Sequence, residues 1–210
     1  YVRLKETQIE SRTIVLAEDV TTSTLERLRI ERERDYDLLT GLYNRRAFYR
    51  FAGRLFDRPD KMKHAAVVMM DLDNLKRTND TFGHEWGDRY IHEAAVCFLR
   101  SIPDGTLCAR VSGDEFNILF CGYDSREAVQ RAIDRLVSGV ENSHFNLPDG
   151  QATRIHVSGG IAWYPEDGTE LMELIKCADF AMYQMKRNEK GRFGVFDRKQ
   201  YNQTEGDMSR

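Results

Sequence analysis

Ala65-Ala66-Val67-Val68-Met69-Met70-Asp71-Leu72-Asp73 is six apolar residues without a polar break, followed at once by acids. Such a run lacks the alternation of a half-buried strand and predicts a central strand covered on both faces. Alternation along extended chain sets Asp71 and Asp73 to one side and Leu72 to the other. A strand end presents ligands rigidly, and two carboxylates there suit a hard cation such as magnesium. Acids after strands are also ordinary turn formers, so the run alone fixes a strand and not a site.

Working outward, Leu107 to Val111 and Phe116 to Cys121 read as strands joined by Ser112-Gly113-Asp114-Glu115, a hairpin in length and composition. Gly113 suits such a turn by tolerating positive φ. Asp114 and Glu115 repel one another, a cost that a bound cation would relieve. If the two strands are neighbours, Asp71 and Asp114 converge on one metal pair, the arrangement that holds a nucleoside triphosphate for in-line attack. Leu38 to Asp57, Gly87 to Arg100, Ser125 to Asn142 and Thr169 to Arg187 read as helices. Thr153 to Trp163 reads as a strand bent at Gly159-Gly160, Tyr164 to Gly168 as a turn, and Phe193 to Phe196 as a last strand. This order predicts an α+β fold, a mainly antiparallel central sheet flanked by helices.

The first 35 residues have another character. Tyr1 to Lys5 and Thr13 to Ala17 alternate as short strands, and Asp19 or Thr22 supplies a helix cap. Thr24 to Tyr36 is a charged helix with Leu25, Leu28 and Arg32 on one face. Two strands cannot bury a face alone. The expected division is therefore residues 1–22 as the end of an upstream sensor domain in cis, 23–36 as a connector helix, 37–197 as the main domain and 198–210 as a tail.

Composition narrows the partners. With 31 basic and 34 acidic residues the net charge is −3, against the basic excess of a general nucleic-acid binder. No apolar run approaches the ~18 residues of a membrane span, and no direct membrane contact is expected. The four cysteines have no C-x-x-C spacing and read as free thiols of a reducing, cytoplasmic setting.

Several motifs carry a resemblance. Ser112-Gly113-Asp114-Glu115-Phe116 resembles the GGDEF signature of diguanylate cyclases, with serine at its first position. Asp71 to Asp88 is similar to the family's D-x-D-x-F-K-x-x-N-D-x-x-G-H-x-x-G-D segment, and Asp37 to Arg46 to its D-x-L-T-x-L-x-N-R-R lead-in. Ser158 to Ala162, Pro165 to Gly168, and Ala178-Asp179 with Met182-Tyr183 and Lys186 match its later motifs, so that the resemblance covers roughly residues 36 to 197 in order. Tyr1 to Thr22 resembles the last strands and D-V-T exit of a PAS sensor.

The resemblance implies the palm-like sheet of nucleotide cyclases and a reaction joining two GTP molecules into cyclic di-GMP. It implies that Asp71, Asp114 and the Leu72 carbonyl ligate two magnesium (or manganese) ions per half-site, with Glu115 beside the attacking 3′-hydroxyl. Asp114 and Glu115 both stand as candidates for accepting its proton. Asn79 and Asp88 would read guanine, an amide and a carboxylate complementing its acceptor and donors. Lys186 and Lys190 would hold the outer phosphates, and Asn74, Leu75 and Lys76 would approach phosphate at a helix start. Each of these residues also has a plainer reading, as a turn former, a helix-start charge or a solvated lysine. One domain holds one GTP, so catalysis implies a homodimer.

Departures from the pattern are few. Ser112 replaces a glycine, and Leu75 and Glu189 replace an aromatic residue and a glycine. Many members carry an inhibitory R-x-x-D ending five residues before the signature; Pro103 and Thr106 stand at those positions, so a product-inhibition site is expected to be absent. The readings that compete with an active cyclase are a silent GTP-binding sensor and a dimerising output module.

Overall fold

The computed structural model describes residues 1–9 and 12–208, which form two units, Tyr1–Tyr36 and Asp37–Arg210. In the first, β1 (Val2–Ile9) pairs antiparallel with β2 (Arg12–Asp19), and α1 spans Thr21–Asp35. The strands are longer than expected, and the helix starts earlier. Asp19, not Thr22, is the acceptor: its Oδ1 takes the Thr21 amide at 2.9 Å, which permits helix from Thr21 onward. Val2, Leu4, Val15 and Leu25 are exposed. The side chains of Leu28 and Arg32, two members of the expected helix face, lie outside the described residues.

The second unit runs β3 (Tyr43–Asn44), α2 (Arg45–Phe56), α3 (Pro59–Met62), β4 (His64–Leu72), α4 (Leu75–Phe82), α5 (His84–Ser101), β5 (Leu107–Ser112), β6 (Glu115–Tyr123), α6 (Arg126–Glu141), β7 (Phe145–Asn146), β8 (Ala152–Thr153), β9 (Val157–Tyr164), α7 (Leu171–Asn188), β10 (Phe193–Val195) and α8 (Arg198–Met208). Six strands form a sheet in the order β10-β9-β4-β6-β5-β3. β4 is central and antiparallel to both neighbours, β5 is antiparallel to β6, and only the outer strands β10 and β3 pair parallel. The expected mainly antiparallel α+β sheet is the one found.

The apolar run works on both faces, as its composition requires. Ala66, Val68, Met70 and Leu72 pack into one core with Phe98, Phe116 and Leu136, beneath α5 and α6. Ala65, Val67 and Met69 pack into a second core with Phe48, Leu174 and Ala178, beneath α2 and α7. The alternation that sends Leu72 into the first core turns Asp71 toward the α7 side. Cys108, fully buried in the first core, has its thiol pushed up to about 12 by burial, and all four cysteines are free. Among the described residues no helix is long and apolar enough to cross a membrane.

Four expectations are corrected. The helix read from Leu38 to Asp57 starts at Arg45, because Gly41 sits at φ +69° and Asn44 caps the helix through Oδ1 to the Ala47 amide. The residue pattern alone gives no helix over Leu75–Phe82, which is largely polar, yet α4 forms there, and only the resemblance implied its start. The stretch Thr153 to Trp163 is broken into β8 and β9. Gly159 and Gly160 lie within β9, where the glycines make room for packing. A Cβ on Gly160 would lie 2.0 Å from the Ala178 carbonyl oxygen and 2.3 Å from the Met182 amide, so α7 rests on bare backbone.

Candidate functional site

The strand register assembles the acids. Asp71 on β4 is paired with Glu115 on β6, and the Leu72 amide donates to the Asp114 carbonyl at 2.9 Å. Backbone ladder bonds therefore fix the two acidic segments side by side. Asp71 is only 6% exposed and forms an ion pair with Lys186 of α7, Nζ to Oδ2 2.5 Å. Burial pushes its carboxyl up to about 6; Lys186 opposes that shift, while Asp114 and Asp73 add to it. One lysine thus leaves the negative charge of this corner partly uncompensated.

That shift sets a pH dependence. With its value raised from 3.8 to about 6, Asp71 binds more protons in the fold than in the unfolded chain across that window. Its stabilising effect is complete below the unfolded value and is lost as pH rises through the folded one. Asp71→Asn is therefore expected to match wild type near pH 4 and to melt at higher temperature near pH 7.5, in thermal scans of chelator-treated protein. A lower melting temperature near pH 7.5 would show that the Lys186 pair outweighs burial.

Asp73 has a different job from Asp71. Its carboxylate accepts the Ser158 hydroxyl at 2.8 Å, and the same Ser158 oxygen accepts the Gly191 amide at 3.1 Å. Tyr90 donates to the Asp73 carbonyl at 3.3 Å and accepts the His156 amide at 2.7 Å. The segment after β4 is thus anchored on several sides, and the two acids differ in their partners: Asp71 meets Lys186, while Asp73, which also lines the hollow above these acids, is held by Ser158.

Ser112 and Glu115 face each other across β5 and β6, with Gly113-Asp114 as the turn and a bulge between Arg110 and Ser112. The turn does not place Gly113 at positive φ, and a Cβ there would meet nothing within 4 Å, so neither backbone nor packing demands this glycine. Gly113→Ala is expected to leave the melting temperature within about 2 °C while lowering turnover of any ligand that approaches the turn. Phe116 is fully buried, edge-on to Phe98 at 5.2 Å, and anchors the hairpin. Arg110 is structural: Nε donates to the Gly113 carbonyl at 2.9 Å and a terminal nitrogen reaches Asp37 at 3.3 Å.

Above the acids lies a hollow of about 680 Å³ walled by Asp71, Leu72, Asp114, Lys76, Lys186 and Lys190. Asn74 and Leu75 also line it, at the start of α4, where Asn74 takes a left-handed φ of 68°. Lys186 sits in the last turn of α7 and Lys190 just beyond its end. Asn79 and Asp88 are absent from that wall. Asp88 lines a separate open hollow of about 700 Å³ with Leu39 and Trp86, between α5 and β7. Asn79 packs against Gly87, where an added Cβ would lie 1.8 Å from Oδ1, and that oxygen is buried without a partner.

Arg77, Asp80, Tyr183 and Arg187 also line the acidic hollow and were not anticipated. Tyr183, Lys186, Arg187 and Lys190 follow the spacing of one helix face, a signal the sequence does contain. The donor set of Asp71, Asp114 and the Leu72 carbonyl is all oxygen, which suits magnesium or manganese. Among the described residues no three acidic, histidine or cysteine side chains gather into a metal cage, so an ion here would share its coordination with ligand oxygens.

Comparison with known proteins agrees with this geometry. The family described as diguanylate cyclase, GGDEF domain, matches residues 34–192. The probable diguanylate cyclase DgcE of Escherichia coli is 30% identical over 89% of this chain and 17% of its own length. The cyclic di-GMP phosphodiesterase PdeR of the same organism is 34% identical over 81% of this chain and 25% of its own. The chain thus spans a quarter or less of these relatives. The solved GGDEF domain of YfiN (TpbB) from Pseudomonas aeruginosa superposes with a TM-score of 0.71 at 31% identity, covering 77% of this chain and 94% of that one. A family match across most of the chain, a shared fold and acids converging at the turn lead to one conclusion: this chain belongs to the GGDEF-domain family of diguanylate cyclases.

Proposed function

We propose that this chain is an active diguanylate cyclase that condenses two GTP molecules into cyclic di-GMP with release of two pyrophosphates. The observation that carries the reading is the buried Asp71 beside Asp114 at the floor of a hollow rimmed by Lys76, Arg77, Lys186 and Lys190. Acids below and cations around match a metal-bound triphosphate, whose charges alternate the same way.

In this reading Asp71, Asp114 and the Leu72 carbonyl hold magnesium or manganese, which supplies charge neutralisation at the transferring phosphate. Lys186 exchanges its hold on Asp71 for the outer phosphates, joined by Lys190 and Lys76. The free amides at Asn74 and Leu75 face the same anion at a helix start. Asn79 and Asp88 recognise guanine from α4 and α5. Glu115 stands at the attacking 3′-hydroxyl, whose oxygen bonds to the α-phosphorus of the opposing GTP as pyrophosphate leaves. The second bond closes the ring in the same way, so two domains must face each other in a two-fold dimer. Residues 1–22 are the end of an upstream sensor domain, and residues 23–36 connect it to the cyclase domain.

The name of PdeR belongs to a protein of which this chain spans a quarter. It does not favour a silent domain here, because Asp71, Asp114, Glu115 and Lys186 are all retained. Incubation with GTP and magnesium at high protein concentration, followed by chromatography, tests the reading. Cyclic di-GMP supports it, while GTP binding without product supports a sensor.

The product should not inhibit at the turn before β5. Pro103 and Thr106 are joined there by a 3.2 Å backbone bond, and Asp104 is the only charged residue lining the hollow of about 300 Å³ beside them. Micromolar cyclic di-GMP is expected to leave the initial rate unchanged. Inhibition abolished by altering Pro103 or Thr106 would refute this.

A further inference from the structure

Ser112 stands where the family pattern has glycine, and its hydroxyl is engaged: Oγ donates to Glu115 Oε2 at 2.7 Å. The two residues are paired across the hairpin with the signature turn between them. A hydroxyl-to-carboxylate bond of this length is charge-assisted and directional. Nothing else in the fold calls for the serine. It is exposed, it lies outside the left-handed region, and it belongs to neither core.

Glu115 has an unfavourable neighbour as well. Asp179 on α7 has its carboxyl pushed up, by burial first and then by Glu115, with Lys186 opposing. A carboxylate that feels a second acid across the gap, with no hydrogen-bond partner among the described residues but a hydroxyl on its own hairpin, is held in place chiefly by that hydroxyl.

We propose that Ser112 is a positioning residue, its hydroxyl fixing one oxygen of the Glu115 carboxylate so that this side chain is set before substrate arrives. The proposal rests on the cyclase reading above. A glycine at this position offers no such bond, so the serine hairpin carries an orienting contact that the glycine signature lacks.

The test compares wild type, Ser112→Ala and Ser112→Thr. Three quantities are read: kcat and KM for GTP, affinity for a non-hydrolysable GTP analogue, and the carbon-13 carboxylate resonance of Glu115, assigned by its loss in Glu115→Gln. The alanine variant is expected to lower kcat by about threefold to tenfold with KM and analogue affinity held within about twofold. The Glu115 resonance should shift in the alanine variant, and threonine should restore both kcat and resonance. An unmoved resonance overturns the proposal, as does a shifted resonance with unchanged kcat. Parallel loss of kcat and analogue affinity would mark a merely structural role and overturn it too. If wild type makes no cyclic di-GMP, the cyclase reading falls and the proposed role falls with it. The resonance, which needs no turnover, then shows whether the hydroxyl still holds Glu115, so the two failures are told apart.

Discussion

Asp114→Ala is expected to cut cyclic di-GMP formation by about a thousandfold or more while the protein remains folded. The structural role of Asp114 is carried by its backbone, whose carbonyl accepts the Leu72 amide, and alanine keeps that bond. The side chain is half-buried at the turn, lines the hollow and lies close enough to Asp71 to raise its carboxyl. Asp73 and Asp80 also line the hollow, but Asp73 is engaged by the Ser158 hydroxyl, and among the described residues no three acids gather into a metal cage. Asp114 also pushes the Asp71 carboxyl upward, and its loss relieves a repulsion. The melting temperature should accordingly hold or rise slightly as product formation disappears. Chromatography of a GTP incubation beside a thermal melt reads both, and an unchanged rate would show that the acids have been given the wrong role.

Gly160→Ala is expected to act on stability with comparable force, by about 3 kcal/mol or more. The added methyl would collide with the Ala178 carbonyl and the Met182 amide, atoms of helix backbone that cannot swing aside as a side chain would. The helix would have to lift from β9, opening the core that holds Leu174, Ala178 and Met182. Lys186 rides on the same helix, so its pairing with Asp71 would loosen as well. Urea titration should show a lower midpoint, and an unchanged midpoint would mean that α7 can shift at little cost.

What was legible in the sequence depended on how local its cause was. The central strand could be read because an unbroken apolar run has few ways to be buried, and the signature hairpin because two strands flank a short polar turn. The convergence of Asp71 and Asp114 could be stated only conditionally, since it depends on β4 and β6 being neighbours in the register found. α4 was legible only through the resemblance, which implied a helix start at Asn74 and Leu75, because Leu75–Phe82 is mostly polar and starts from a left-handed Asn74. The helix before β4 was drawn too long because Leu39 and Leu42 continue the apolar spacing of Phe48, Phe51 and Leu55 past a glycine and a cap. The glycines of β9 were read as a bend because the object they make room for, α7, lies farther along the chain. The bond from Ser112 to Glu115 was not foreseen either, since composition says how large a side chain is and not which way its hydroxyl turns.

The Arg110 guanidinium touches two distant places at once, the carbonyl of Gly113 and the carboxylate of Asp37, where the second unit begins. Asp37 is itself tied down, since its Oδ1 also takes the Thr40 amide and hydroxyl. Residue 37, where the chain enters the second unit, is thus joined to the acidic turn through one flat side chain, so Arg110→Ala would free both ends of that link at once.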